Sequence, residues 1–156
     1  MSYSITITGL DEVRKALGTS FRPAIDTGLK TLAGEVQNEI APYPRATVAN
    51  SPSSPTGRWY ERGYGPKWLT KAGAVHGRQT SQTMNRRWAI RQRRALAWQV
   101  GNSATYSPYV HAERQQARFH AIRGWVTDAA AIKAVVGSGR AKRIIIAALV
   151  ARINKR

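Results

Sequence analysis

The chain has 156 residues, a mass of 17.2 kDa and a formal net charge of +17, from 25 Lys and Arg against 8 Asp and Glu. That length suits one core with appendages, and the charge points to polyanionic surroundings or a polyanionic partner. Cysteine is absent, which excludes disulfides, thiol catalysis and Cys-ligated zinc or iron–sulfur clusters. Hydrophobic residues make up 42%, enough for a modest core. The longest apolar run, Ile144 to Ala151, has eight residues, far short of the ~20 that span a bilayer. With no secretory leader in view, the expectation is a soluble, intracellular protein without a membrane partner.

The charge is segregated along the chain. Residues 1–41 carry a net −1, residues 42–105 a net +10 with Glu61 as their one acid, residues 106–136 a net +2, and residues 137–156 a net +6 with no acid. The first quarter reads as scaffold. Segregation of this kind marks a surface that meets phosphate.

Ser4–Thr8 alternates polar and apolar residues with β-branching throughout, and predicts a short strand with one buried face. Asp11 caps a predicted short helix to Leu17, which Gly18 ends. Thr19 or Ser20 is the expected cap of a second helix, with Pro23 in its first turn. Phe21, Ile25, Leu29, Leu32, Val36 and Ile40 recur at spacings of three and four, one apolar stripe over a helix that Pro42 and Pro44 terminate. Gly28 and Gly34 weaken that helix or let a neighbour approach closely.

Residues 42–82 show no sustained period and hold five of the seven prolines and five of the thirteen glycines. They also hold Tyr43, Trp59, Tyr60, Tyr64 and Trp68. Plain linkers are poor in aromatics, so the expectation is an extended arm that becomes ordered against a partner. Arg86–Val100 predicts a β-hairpin with Trp88 opposite Trp98 and Ile90 opposite Leu96. One face is then apolar, the other carries Arg87 and Arg91, and a turn around Gln92 places Arg93 and Arg94 at the tip. Trp88 and Trp98 read as core. Tyr106–Val110 is a proline turn; a helix capped by Thr127 or Asp128 runs to Val136; and after Gly137–Gly139 a basic amphipathic helix spans Arg140–Arg156. The fold class is therefore α+β, a small antiparallel sheet on a long N-terminal helix, within one domain over residues 1–156.

Enzyme constellations are thin. His76, His111 and His120 are dispersed and read as loop or surface residues, with no metal-binding spacing among them. Glu35 and Glu39 share a helix face and are the one carboxylate pair that a two-metal nuclease or toxin would use; solvated helix surface is the simpler reading. No phosphate loop and no Ser/His/Asp arrangement is present. The sequence implies no cofactor, no metal and no enzymatic activity. What remains is binding: the arginine hairpin, suited to backbone phosphates, and the basic C-terminal helix.

The order of the pieces carries a resemblance. Ile7-Thr8-Gly9-Leu10-Asp11-Glu12, a long helix ending at Ala41-Pro42, a basic loop, a hairpin and Tyr106-Ser107-Pro108-Tyr109-Val110-His111 together resemble the tail-component family of long-tailed bacteriophages, the tail-completion or head–tail joining proteins. The chain departs from that family in the long insert between Ala41-Pro42 and Thr56-Gly57, and in Ala112-Glu113-Arg114 after the Tyr-Val motif. The resemblance implies a non-enzymatic structural subunit of the phage neck or tail. Such a subunit forms a homo-oligomeric ring, commonly a hexamer, between a connector or head-closure protein and the tail-tube protein, in the virion and, during assembly, in the host cytoplasm. Genomic DNA in the channel would then face Arg86, Arg87, Arg91, Arg93 and Arg94. Neighbouring subunits would meet Trp59, Tyr60, Tyr64, Trp68, Tyr106, Pro108 and Tyr109. The alternative reading is a sequence-independent nucleic-acid-binding protein acting as a monomer or dimer.

Overall fold

The computed structural model describes residues 3–7, 21–44, 51–53, 59–60, 64–79 and 83–154. The expected Asp11–Leu17 helix lies outside these residues. The elements in chain order are β1 (Tyr3–Ile7), α1 (Arg22–Ile40), β2 (Trp59–Tyr60), β3 (Tyr64–Leu69), β4 (Val75–Gln79), α2 (Thr83–Arg86), β5 (Trp88–Arg94), β6 (Ala97–Asn102), α3 (Ser107–His111), α4 (Arg118–Ile122), α5 (Asp128–Gly137) and α6 (Arg140–Ile153). The class is α+β, with two three-stranded antiparallel sheets ordered β1-β6-β5 and β2-β3-β4.

Helix α1 organises the molecule. The stripe Ile25, Leu29, Leu32, Val36 and Ile40 is buried, as its spacing predicts. Pro23 sits in the first turn, where its missing N–H leaves no bond unmade. The capping position is Phe21, which contributes no side-chain hydrogen bond, so the expected Thr19 or Ser20 cap is displaced by one to two residues; both lie outside the described residues. Two sides of α1 are occupied. Asp26 bonds the β5–β6 hairpin. Gly28, two residues and about 200° further round, faces α6: a Cβ there would stand 2.8 Å from Ile145 Cδ1. Glu35 and Glu39 also reach α6, through Arg140.

In the first sheet β6 is central. Ile5 pairs with Val100 and Ile7 with Trp98, while Ile90 pairs with Val100 from the other side. Val100 is fully buried, and Trp88, Ile90 and Trp98 pack half-buried against the α1 core. The hairpin register differs from the expected one: Trp88 faces Asn102 rather than Trp98, and Ile90 faces Val100 rather than Leu96. The shift is four residues. Being even, it leaves every side chain on its expected face. Its cause is the turn. Arg94 pairs with Ala97 across Ala95-Leu96, so the reversal lies beyond Gln92–Arg94, and Arg93 is the extra residue of a bulge.

The second sheet overturns the expectation of a stretch without regular structure. Trp68 pairs with His76 and Leu69 with Val75 about a turn in which Thr70 N–H donates to Ala74 O and Gly73 sits at φ 79. Pro66, in the central strand, coincides with a register irregularity between Tyr64 and Lys67. Trp59 is 8% exposed, so it is a buried residue of this sheet rather than an exposed aromatic. The sheet's strands contact chiefly one another.

Helix α5 begins with the expected cap, Thr127 Oγ1 accepting from Ala130 N–H at 3.2 Å. Gly139, at φ 71, makes the turn into α6. A smaller cluster of Met84, Ala104, Val110 and Trp125 packs beside Tyr43. Asn102 ties it to the sheet, donating to Met84 O at 2.7 Å and accepting from Ala104 N–H at 2.9 Å. Among the described residues no helix is long and apolar enough to cross a membrane.

Candidate nucleic-acid interface

The inner face of the first sheet lies on α1. Its outer face carries the positive charge. Alternation along a strand sends Arg87, Ala89, Arg91 and Arg93 to one side, away from Trp88, Ile90 and Gln92. The turn lies beyond it, so Arg93 is still in β5 and falls on that side. All three arginines are exposed and line one shallow depression of about 220 Å3.

The floor of this depression follows from the register. Ala89 pairs with Gly101, and Gly101 with Ser4, so three small residues lie side by side across β5, β6 and β1. On one side stand Arg91 and its partner Gln99; on the other stand Arg87 and Ser103, whose N–H donates to Arg87 O at 3.1 Å. Among the described residues, no acidic and no aromatic one lines the depression.

Four of the described acids are engaged away from this face. Asp26 accepts from Gln92 Nε2, Leu96 N–H and Trp98 Nε1, all at 3.0–3.1 Å, on the opposite side of the hairpin. Glu35 and Glu39 hold Arg140, with N–O distances of 3.3 and 2.5 Å. The Glu39 hydrogen bond, helped by the charge of both carboxylates, raises the Arg140 pKa above its ordinary value. The pair is thus engaged with a guanidinium and is not an open carboxylate site. Asp128 accepts from the N–H groups of Glu113 and Ala129. Arg87, Arg91 and Arg93 make no side-chain ion pair or hydrogen bond among the described residues.

Three of the five predicted arginines therefore converge. Arg86 is exposed at the end of α2, and Arg94 is exposed at the end of β5; neither lines the depression. Of the predicted contact residues, Trp68 is 37%, Tyr106 44% and Tyr109 59% exposed. Pro108, by contrast, is buried in the first turn of α3, and Trp59 is buried as well, so neither is available at the surface. The side chains of Tyr60 and Tyr64 lie outside those described.

His111 is also unlike its expected surface setting. It is fully buried, edge-on to Trp88 at 5.3 Å and to Trp125 at 5.4 Å, with Nδ1 2.8 Å from Val126 O. Burial drives its pKa down from 6.5 to about 4; the Val126 bond and Asp128 oppose this shift and His120 adds to it. His120 is lowered too, by burial. Neither lines the arginine depression. No family model, no curated protein and no solved structure matches this chain.

Proposed function

We propose that this chain is a structural subunit of a phage neck or tail, one of a homo-oligomeric ring that completes the tail end and joins it to the head connector around the DNA channel. The observation that carries the DNA-contact part of this reading is the outer sheet face: three exposed arginines around one depression, with no acid among its described lining residues. A channel subunit needs to contact DNA that slides past, so it needs phosphate contacts without base readout. The absence of aromatics among the described lining residues suits backbone contact and not a base-stacking platform. Exposed Trp68, Tyr106 and Tyr109 supply apolar surface for neighbouring subunits or for the connector and tail-tube proteins. The order of sequence motifs supplies the phage assignment.

The same arginine face equally favours a free, sequence-independent nucleic-acid-binding protein. Native mass spectrometry of the purified protein, with electron microscopy of particles labelled for it, separates the two. A closed ring and label at the head–tail junction are expected. A monomer or dimer that binds DNA and is missing from particles contradicts the ring reading.

A further inference from the structure

The proposed function assigns a charged face; its shape carries more. We propose that the depression on the outer face of the first sheet seats the phosphodiester backbone of a single nucleic-acid strand, crossing β5, β6 and β1 with Arg87 on one side and Arg91 on the other. This inference rests on the nucleic-acid reading of that face and adds where and how the strand lies.

The geometry runs as follows. Neighbouring strands are about 4.8 Å apart, so the floor made by Ala89, Gly101 and Ser4 extends roughly 10 Å across the sheet. Arg87 and Arg91 are four residues apart, about 13 Å along the strand at ~3.3 Å per residue. Their long side chains border the floor from both sides, while the floor itself lacks any side chain larger than a hydroxymethyl group. Guanidinium groups suit phosphate oxygens through paired N–H donors. Gln99 and Ser103, on opposite borders, add neutral donors. Among the described residues, no carboxylate lines the site to repel the anion, and no aromatic ring lines it to hold a base. A backbone is therefore bound and its bases point away, which makes contact independent of sequence.

Charge alone predicts that bulk on the floor is harmless. The seat predicts the reverse. Binding of a fluorescent single-stranded oligonucleotide of mixed sequence is measured at low salt for the full chain, for Ala89→Leu and Ser4→Leu, and for Thr6→Leu. Thr6 is exposed on β1 and does not line the depression. All three variants keep the net charge, and two independent floor positions guard against one variant failing to fold. At least tenfold weaker binding is expected for both floor variants, with unchanged melting and with Thr6→Leu binding as wild type. Wild-type affinity in folded Ala89→Leu and Ser4→Leu overturns the seat; if replacing Arg87, Arg91 and Arg93 by Gln still weakens binding, the charged-face reading survives that result. If neither change matters, both fall. Calorimetry with inorganic phosphate alone distinguishes the source of the anion: saturation at micromolar concentration, without displacement by the oligonucleotide, identifies a small phosphate ligand and overturns the strand assignment.

Discussion

Asp26 on α1 holds Leu96 in the β5–β6 turn: its Oδ1 accepts the Leu96 N–H at 3.1 Å while Leu96 sits at φ 59. A left-handed conformation costs a non-glycine residue about 1–2 kcal/mol. Leu96 is 8% exposed and packs in the main core, and burying a leucine returns about 1.5–3 kcal/mol. The carboxylate also receives Gln92 Nε2 and Trp98 Nε1. One acid thus fixes the turn, the strand before it and the strand after it, and with them the face on which the arginines emerge.

Asp26→Ala removes acceptors from two partly buried donors and is expected to destabilise the protein by about 2–4 kcal/mol. Asp26→Asn keeps one acceptor oxygen and loses less. Urea titrations of both variants check the order. Equal midpoints for wild type and Asp26→Ala contradict the role given to this carboxylate.

Gly28 sets how closely α6 lies on α1. Gly28→Ala gains about 1 kcal/mol of helix propensity and meets Ile145 Cδ1, the movable end of a side chain, at 2.8 Å, with Ala148 Cβ at 3.4 Å. The two effects oppose each other, so the melting temperature is expected to change little. Gly28→Phe has no such relief and is expected to lift α6, giving fast amide exchange over 140–153 with the first sheet still protected. Continued protection of α6 in Gly28→Phe contradicts the close packing.

His111 predicts an acid-sensitive fold. Its folded pKa of about 4 lies below the ordinary 6.5, so the unfolded chain takes up the proton first. The stability is complete above pH 6.5 and is lost as pH falls towards 4, by about 3 kcal/mol at ~1.4 kcal/mol per pH unit. His120 acts in the same direction. His111→Asn, whose amide can still donate to Val126 O, is expected to flatten most of this slope in urea titrations between pH 4 and 7. An unchanged slope in His111→Asn places the acid sensitivity elsewhere.

Trp59 is the anchor of the second sheet. Truncating a buried aromatic costs about 3–5 kcal/mol, and because β2, β3 and β4 contact chiefly one another, the loss is expected to stay local. Trp59→Ala should speed amide exchange over 64–69 and 75–79 while β6 keeps its protection. Trp98→Ala should instead lower the global melting temperature, since Trp98 packs on the main core and bonds Asp26.

The sequence made the α1 stripe, the Thr127 cap and the two faces of the hairpin legible, because each is a local pattern with one physical cause. Leu96 was misplaced because an apolar residue in a strand-like run gives no local sign of a left-handed turn; the Asp26 bond that supports it comes from 70 residues away. Nothing local to Asp26 in the sequence points to these bonds, for the same reason. The second sheet was hidden by Gly65, Pro66 and Lys67, which break the period of two, although Gly73 between Leu69 and Val75 was a usable turn signal. His111 gave no sign of burial because Trp88 and Trp125, which enclose it, lie 23 and 14 positions away. The arginine face was legible as alternation at Arg87 and Arg91; Arg93 joins it by the same alternation because the reversal lies at Ala95-Leu96 and not around Gln92.

The claim that the outer sheet face meets nucleic-acid phosphates is tested most directly by the salt dependence of DNA affinity in two variants of equal charge. One replaces Arg87, Arg91 and Arg93 by Gln; the other replaces Lys142, Arg143 and Arg152 of α6 by Gln. Each phosphate contact contributes about 0.9 to the slope of log affinity against log salt on duplex DNA. The sheet variant is expected to lose up to about 3 from that slope, while the α6 variant keeps nearly all of it. Equal losses in the two variants, or a larger loss in the α6 variant, contradict the assignment of the sheet face as the nucleic-acid interface.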